Sequence, residues 1–242
     1  MNELRLPVRH FHRQPGGDGG HHVAGLASID LAHAAFLAVD VYGPESEMLR
    51  QSIAPALASA RRLGLPIVYV GNSAPRVALE CYEFTLQRER NAHHHFPTVA
   101  AELNVDPREY HHGDGPWGRY AACVAPRQGD HFVRKIAYSG FFETQLDSLL
   151  RHLGTTTIIA VGFSASECLL GTLIDAFQSN YQVIFLRDCT AAGDLLPEEV
   201  AQGLFTQRMI VWMETYLGAS TTSAAFCAAC SDCTGAAAMA QP

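Results

Sequence analysis

The chain has 242 residues, 48% of them hydrophobic and 17% charged, and a formal net charge of −7. That length and composition suit one ordinary globular domain with a sizeable core. The acidic balance offers no cationic surface, so neither nucleic acid nor an anionic membrane is an expected partner. No apolar run reaches the roughly 18 residues of a spanning helix, and the first twenty residues lack the apolar centre of a secretory signal. A cytoplasmic protein is therefore expected. Seven cysteines are an odd number and too sparse for a disulfide framework, so reduced thiols are expected.

In chain order, residues 1–33 carry Gly16, Gly17, Gly19 and Gly20 with His10, His12, His21 and His22, and they read as an N-terminal surface arm without helical or strand period. These histidines, and His93, His94 and His95, lack the fixed spacing and carboxylate support of metal ligands. They read as solvated loops, and no metal or cofactor is expected. Order begins with the apolar run Ala34 to Val39, suited to a strand buried on both faces and ending at Asp40. Gly43 and Pro44 mark a turn. Helical spacing follows from Glu45 to Leu63, with Pro55 a kink or second helix start and Gly64 a stop.

Pro66 to Val70 reads as a second buried strand. Residues 72–129 are irregular, with a short helical candidate at Thr98 to Leu103, and they are expected to cover an end of the sheet. Further strands are expected at His131 to Lys135, Thr157 to Val161 and Val183 to Leu186, with helices at Thr144 to Leu153, Glu167 to Gln178 and Pro197 to Leu217. This divides the chain into the arm 1–33, a domain at 34–218 and a tail at 219–242. The tail contains Cys227, Cys230 and Cys233 in a C-x-x-C-x-x-C pattern. A tetrahedral metal site needs a fourth ligand, and no His or Cys follows, so an Ala-rich tail, disordered or loosely helical, is expected.

Strands alternating with helices specify an α/β fold with a doubly wound, mostly parallel sheet flanked by helices on both faces, a Rossmann-like three-layer arrangement. Ligands bind such folds beyond the carboxyl ends of the strands. Three of those ends carry chemistry: Asp40, Lys135, and the segment Gly162 to Cys168, where the chain leaves a buried strand and enters a helix. An acid, a cation and a nucleophile thus fall on one sheet edge. A thiol at a helix N-terminus is expected to have a lowered pKa, with thiolate available near neutral pH.

The strings LAVD at Leu37 to Asp40, RKIAYSGFFETQLDSLLRHLG at Arg134 to Gly154 and IIAVGFSASECLLGTLIDAFQSNYQVIFLRDCTAA at Ile158 to Ala192 resemble the signature segments of isochorismatase-like cysteine hydrolases. The resemblance covers most of the chain from Phe36 onward. It implies that Asp40 is the general base, that Lys135 holds the Asp–Cys pair and that Cys168 is the nucleophile. It also implies an oxyanion hole from the backbone N–H groups of Ser164 and Cys168, with a non-proline cis peptide between Phe163 and Ser164.

The expected reaction is cleavage of a C–N bond in a small amide or ureido substrate through a thioester, releasing ammonia or an amine. Tyr138-Ser139-Gly140-Phe141-Phe142 resembles ureidoacrylate and biuret-type amidohydrolases, whereas the segment before Cys168 lacks their Ala-Thr-Asn-Val. Tyr42, Asn72, Tyr138, Phe141, Phe142 and Glu167 are the expected substrate-binding residues. Amide, urea and imide stay open as the bond cleaved, and a homo-oligomer is expected.

Other readings compete. A vinyl-ether hydrolase of the siderophore type lacks the cysteine. Gly162-Phe163-Ser164-Ala165-Ser166 is one residue short of a serine-hydrolase elbow, but that fold needs a later histidine, and the last one here is His152. A non-catalytic binding protein on the same fold predicts loss of at least one of Asp40, Lys135 and Cys168.

Overall fold

The strand Ala34–Val39 (β3) is buried along its whole length. Its alternate side chains feed two separate cores, Phe36 and Ala38 on one face and Leu37 and Val39 on the other. An extended strand turns successive residues to opposite faces, so a continuous apolar run is what a strand covered on both sides requires. Thr157–Gly162 (β6) repeats the pattern, with Ile159 and Val161 in the first core and Ile158 and Ala160 in the second. Each such large side chain, fully buried, contributes about 1.5–3 kcal/mol. The computed structural model describes residues 3–17, 19–72, 83, 119–193, 196, 199 and 202–239.

Among these residues the sheet has eight strands. In chain order they are β1 (Glu3–Arg13), β2 (Gly20–Asp30), β3, β4 (Ile67–Asn72), β5 (His131–Lys135), β6, β7 (Gln182–Leu186) and β8 (Ala219–Thr221). The spatial order is β2-β1-β8-β7-β6-β3-β4-β5. All pairings from β8 to β5 are parallel, and β1 pairs antiparallel with both β2 and β8. The chain winds outward from β3 to β5, then returns to β6 and winds the other way. The order therefore reverses between β3 and β6, which opens a crevice at their carboxyl ends.

Helices α1 (Ala54–Arg62) and α5 (Ser223–Met239) supply Leu57, Ala60, Phe226 and Cys230 to the first core. Helices α2 (Leu146–His152), α3 (Cys168–Gln178) and α4 (Leu204–Tyr216) supply Leu150, Leu173 and Met213 to the second. The three-layer, doubly wound sheet expected from the sequence is the observed fold. The helix expected from Glu45 contains a π turn at Leu49–Ile53 that runs directly into α1, with Pro55 near the start of α1. The candidate helix at Thr98 to Leu103 lies outside the described residues.

Two expectations are corrected. The arm is not irregular, because Glu3–Arg13 and Gly20–Asp30 form the β1–β2 hairpin. Leu4, Leu6 and Val8 alternate with Glu3, Arg5 and Pro7, so one face of β1 is buried and the other exposed. Nor is His22 merely solvated: its Nε2 lies 2.9 Å from Glu214 Oε2, and Arg9 Nε donates to Glu214 Oε1 at 2.7 Å. Glu214 is buried on α4, and a buried carboxylate needs such partners. The tail is likewise ordered through residue 239. Asp188 accepts from the N–H of Ser223 at 2.8 Å, which caps α5, and Phe226 and Cys230 then pack one turn apart in the first core.

Candidate active site

Asp40 stands at the first position after β3, with φ of 49°. This left-handed turn ends the strand and is uncommon for a residue with a Cβ. The close approach of β6 to β3 depends on Gly162, whose φ is 121° and where a Cβ would lie 1.8 Å from the carbonyl oxygen of Val39. Phe163 then donates its N–H to that same carbonyl at 2.9 Å. The segment 163–168 is thereby laid over the end of β3. The peptide between Phe163 and Ser164 is cis, as the family resemblance implies.

Lys135, the last residue of β5, is fully buried. Its Nζ lies 3.0 Å from Asp40 Oδ2 and donates to Cys168 Sγ at 3.0 Å, to Asn72 Oδ1, and to the carbonyl of Ala137 at 3.3 Å. Asn72 Nδ2 donates to Asp40 Oδ2 at 3.2 Å and to the hydroxyl of Tyr42 at 2.8 Å. One carboxylate oxygen is therefore engaged, while Asp40 Oδ1 is buried with no hydrogen-bond partner among the described residues. Such an orphan acceptor costs about 1–3 kcal/mol unless something else fills the role.

Burial pushes the Cys168 thiol up, the Asp40 carboxylate pushes it further, and Lys135 opposes both, leaving it raised to about 12. This reverses the expectation of a lowered pKa from the helix N-terminus: desolvation and the neighbouring carboxylate outweigh the cation. For Lys135, burial works against the charge, but Asp40 and then Cys168 hold it above the ordinary lysine value. Burial and Asp40 also raise Tyr42, which stays a phenol.

Cys168 opens α3, where first-turn N–H groups have no intrahelical acceptors. Among the described residues, neither the N–H of Ser164 nor that of Cys168 meets a protein acceptor. Thr172, buried one turn on, donates its hydroxyl to the carbonyl of Cys168 at 2.7 Å and accepts the N–H of Gly140 at 2.9 Å. It thus ties the turn that carries the thiol to the loop that follows Lys135. Gly171 lets that loop lie close, since a Cβ there would be 3.2 Å from Tyr138 Cβ.

The structure brings Asp40, Lys135, Cys168, Asn72 and Tyr42 together. Asn72 was expected to bind substrate, yet both ends of its amide are engaged by its neighbours. Tyr138, Phe142 and Glu167 are exposed beside the cluster's elements. Phe141 is half-buried, with its ring 5.9 Å from that of Tyr181 and packed against the second core. Thr172 was not anticipated, although its spacing of four from Cys168 on a helix marks the same face. Among the described residues no group of three or more His, Cys, Asp or Glu side chains is arranged to hold a metal, and none of the helices is long and apolar enough to cross a membrane.

The Isochorismatase domain model matches residues 26–215. The chain is 30% identical over 176 residues to the ureidoacrylate amidohydrolase RutB of Methylobacterium radiotolerans, an alignment covering 72% of this chain and 64% of that protein. It thus spans just under two thirds of that relative's length. A cysteine hydrolase from Pseudomonas syringae superposes with a TM-score of 0.64 at 23% identity, over 84% of this chain and 95% of the other, a likeness of fold. An N-carbamoylsarcosine amidase from Thermoplasma acidophilum superposes with a TM-score of 0.53 at 25% identity, over 79% and 96%.

Proposed function

Because this chain belongs to the isochorismatase family, we propose that it is a cysteine hydrolase cleaving a C–N bond in a small amide or ureido compound, with Cys168 as nucleophile. The observation that carries this reading is the buried contact set of one lysine with one carboxylate and one thiol, at 3.0 Å each, with Asp40 Oδ1 left free to accept a proton. A thiol held near 12 is not a ready thiolate, so the proton must leave during the attack. Asp40 is the base that takes it, and Lys135 keeps the developing thiolate and the carboxylate in one place.

The sulfur attacks the carbonyl carbon, and the tetrahedral oxyanion is received by the backbone N–H groups of Ser164 and Cys168. Collapse breaks the C–N bond, and ammonia or an amine leaves with the proton that Asp40 returns. Water, deprotonated by Asp40, then hydrolyses the thioester, releasing the acid and restoring the thiol. Tyr42, Tyr138, Phe142 and Glu167 border the substrate, while Asn72 orients the Asp40–Lys135 pair. No cofactor enters these steps.

Two relatives carry names that specify ureido or N-carbamoyl compounds, and this supports beginning with that class. The test is ammonia release from a set of N-carbamoyl and primary-amide compounds by wild type and Cys168→Ala. The reading predicts release by the wild type and a loss of about 10³-fold or more in the variant. Equal release by both proteins would defeat it.

A further inference from the structure

The strand β2 ends the sheet and runs for eleven residues with nothing beyond it among the described residues. We propose that its free edge pairs antiparallel with β2 of a second copy of this chain, about a two-fold axis at Gly25, so that one sheet runs through a closed dimer.

The ladder inside the hairpin decides which backbone groups are free. The N–H of Gln14 donates to the carbonyl of Gly19 at 3.1 Å, which closes the hairpin in the register of the strands. Hydrogen-bonded and non-bonded pairs alternate from there. His21, Val23, Gly25, Ala27 and Ile29 therefore turn their backbone groups to β1, and His22, Ala24, Leu26 and Ser28 turn theirs to the open side. Pro7 agrees with this phase, since it has no N–H to give and stands opposite Leu26. So do the carbonyls of Glu3 and Pro7, which point the other way and accept from Cys233 Sγ at 3.7 Å and Thr221 Oγ1 at 2.7 Å.

Monomeric proteins protect such an edge with charges, proline, a bulge or a covering element. Here the residues from His21 to Ile29 include no Lys, Arg, Asp, Glu or Pro, and the pairing with β1 continues without a bulge. Leu26, 54% exposed, stands on the face beside this edge. Pairing about Gly25 uses the full strand and sets Leu26 opposite Ala24 of the copy, His22 opposite Ser28 and Gly20 opposite Asp30. No like charges meet, and each Asp30 comes beside the other copy's histidine pair. The contact is isologous, so it closes at two copies. This proposal stands independently of the hydrolase reading.

The test combines sedimentation of the full chain over a concentration series with amide hydrogen exchange of β2. The wild type is expected to reach twice the 26.3 kDa chain mass, with exchange at His22, Ala24, Leu26 and Ser28 slowing as the dimer forms. Leu26→Pro removes an N–H that the β1 ladder does not use, and Ala24→Lys places a charge at the contact. Both should weaken the dimer at least tenfold while the far-ultraviolet spectrum is kept. A wild type that is monomeric at every concentration would overturn the proposal. So would a dimer indifferent to both substitutions, or one in which those amides exchange as in the monomer.

Discussion

At the scale of single residues the site is defined by who holds the proton. The Cys168 thiol is raised by burial and by Asp40, and lowered by Lys135, so the two neighbours should act in opposite directions. Iodoacetamide alkylation of Cys168 against pH separates them. In the wild type alkylation should stay slow through neutral pH and climb only as pH approaches about 12. Lys135→Met removes the opposing cation and should move the profile further alkaline. Asp40→Asn removes the carboxylate and should move it to lower pH, while turnover is lost because the base is gone. A profile unmoved in Lys135→Met makes the lysine a bystander, and retained turnover in Asp40→Asn removes the base from the scheme. Cys189 gives the internal comparison. It is buried, its thiol is raised by burial and Asp188, and only its carbonyl serves the site's scaffold, accepting the N–H of Gly162 at 2.9 Å. Cys189→Ala should therefore leave the Cys168 profile in place.

Among the elements, the crossing of β3 and β6 carries the geometry. Gly162→Ala would set a Cβ against the Val39 carbonyl in a backbone conformation that L residues avoid, and it should cost about 3 kcal/mol or more in denaturant unfolding. Activity should fall further than folding in any protein that still folds, because Asp40 follows one of the two strands being forced apart and the segment leading to Cys168 follows the other. Unchanged stability and turnover would show that the approach is not required. The strands of this region were legible in the sequence because their runs are apolar on both faces and end in polar residues. Asp40 could be placed for the same reason, since it follows the apolar run of β3; Lys135 ends the short strand β5, and Cys168 opens the helix that follows β6. The hairpin was less visible. The alternation in Leu4, Leu6 and Val8 is real but short, and β2 spreads Gly, Ala and Ser where a strand signal needs branched or aromatic residues. Helix α5 was obscured by its Ala and Cys content, which marks no face until Phe226 and Cys230 meet the core. The contact of Phe141 with Tyr181 was not legible, because an apolar residue in a loop after Lys135 looks the same in sequence whatever it packs against. The raised thiol was illegible too, since desolvation depends on what covers the sulfur.

For the molecule as a whole, the sheet is extended beyond the parallel strands by a hairpin held through one buried carboxylate. Glu214 binds Arg9 and His22 and also accepts from the hydroxyl of Ser220. Glu214→Ala should loosen β1 and β2 together, at a cost of about 2 kcal/mol after allowing for the partial exposure of Arg9 and His22. Hydrogen exchange would report it as faster opening at Leu4, Leu6 and Val8. Protection unchanged there would show that apolar burial alone holds the hairpin. This edge lies on the far side of β8 and β7 from the crevice between β3 and β6, so its loosening should alter stability more than turnover. What the assembly does chemically turns on a single covalent bond. The most direct measurement is intact-protein mass during turnover, quenched in acid and mapped by peptide, with hydroxylamine added in parallel to intercept the acyl group. The account predicts an adduct of the substrate's acyl or carbamoyl mass on Cys168 and formation of the corresponding hydroxamate or hydroxyurea. An adduct on another residue, or an unmodified enzyme that turns over with no intercepted product, would contradict it.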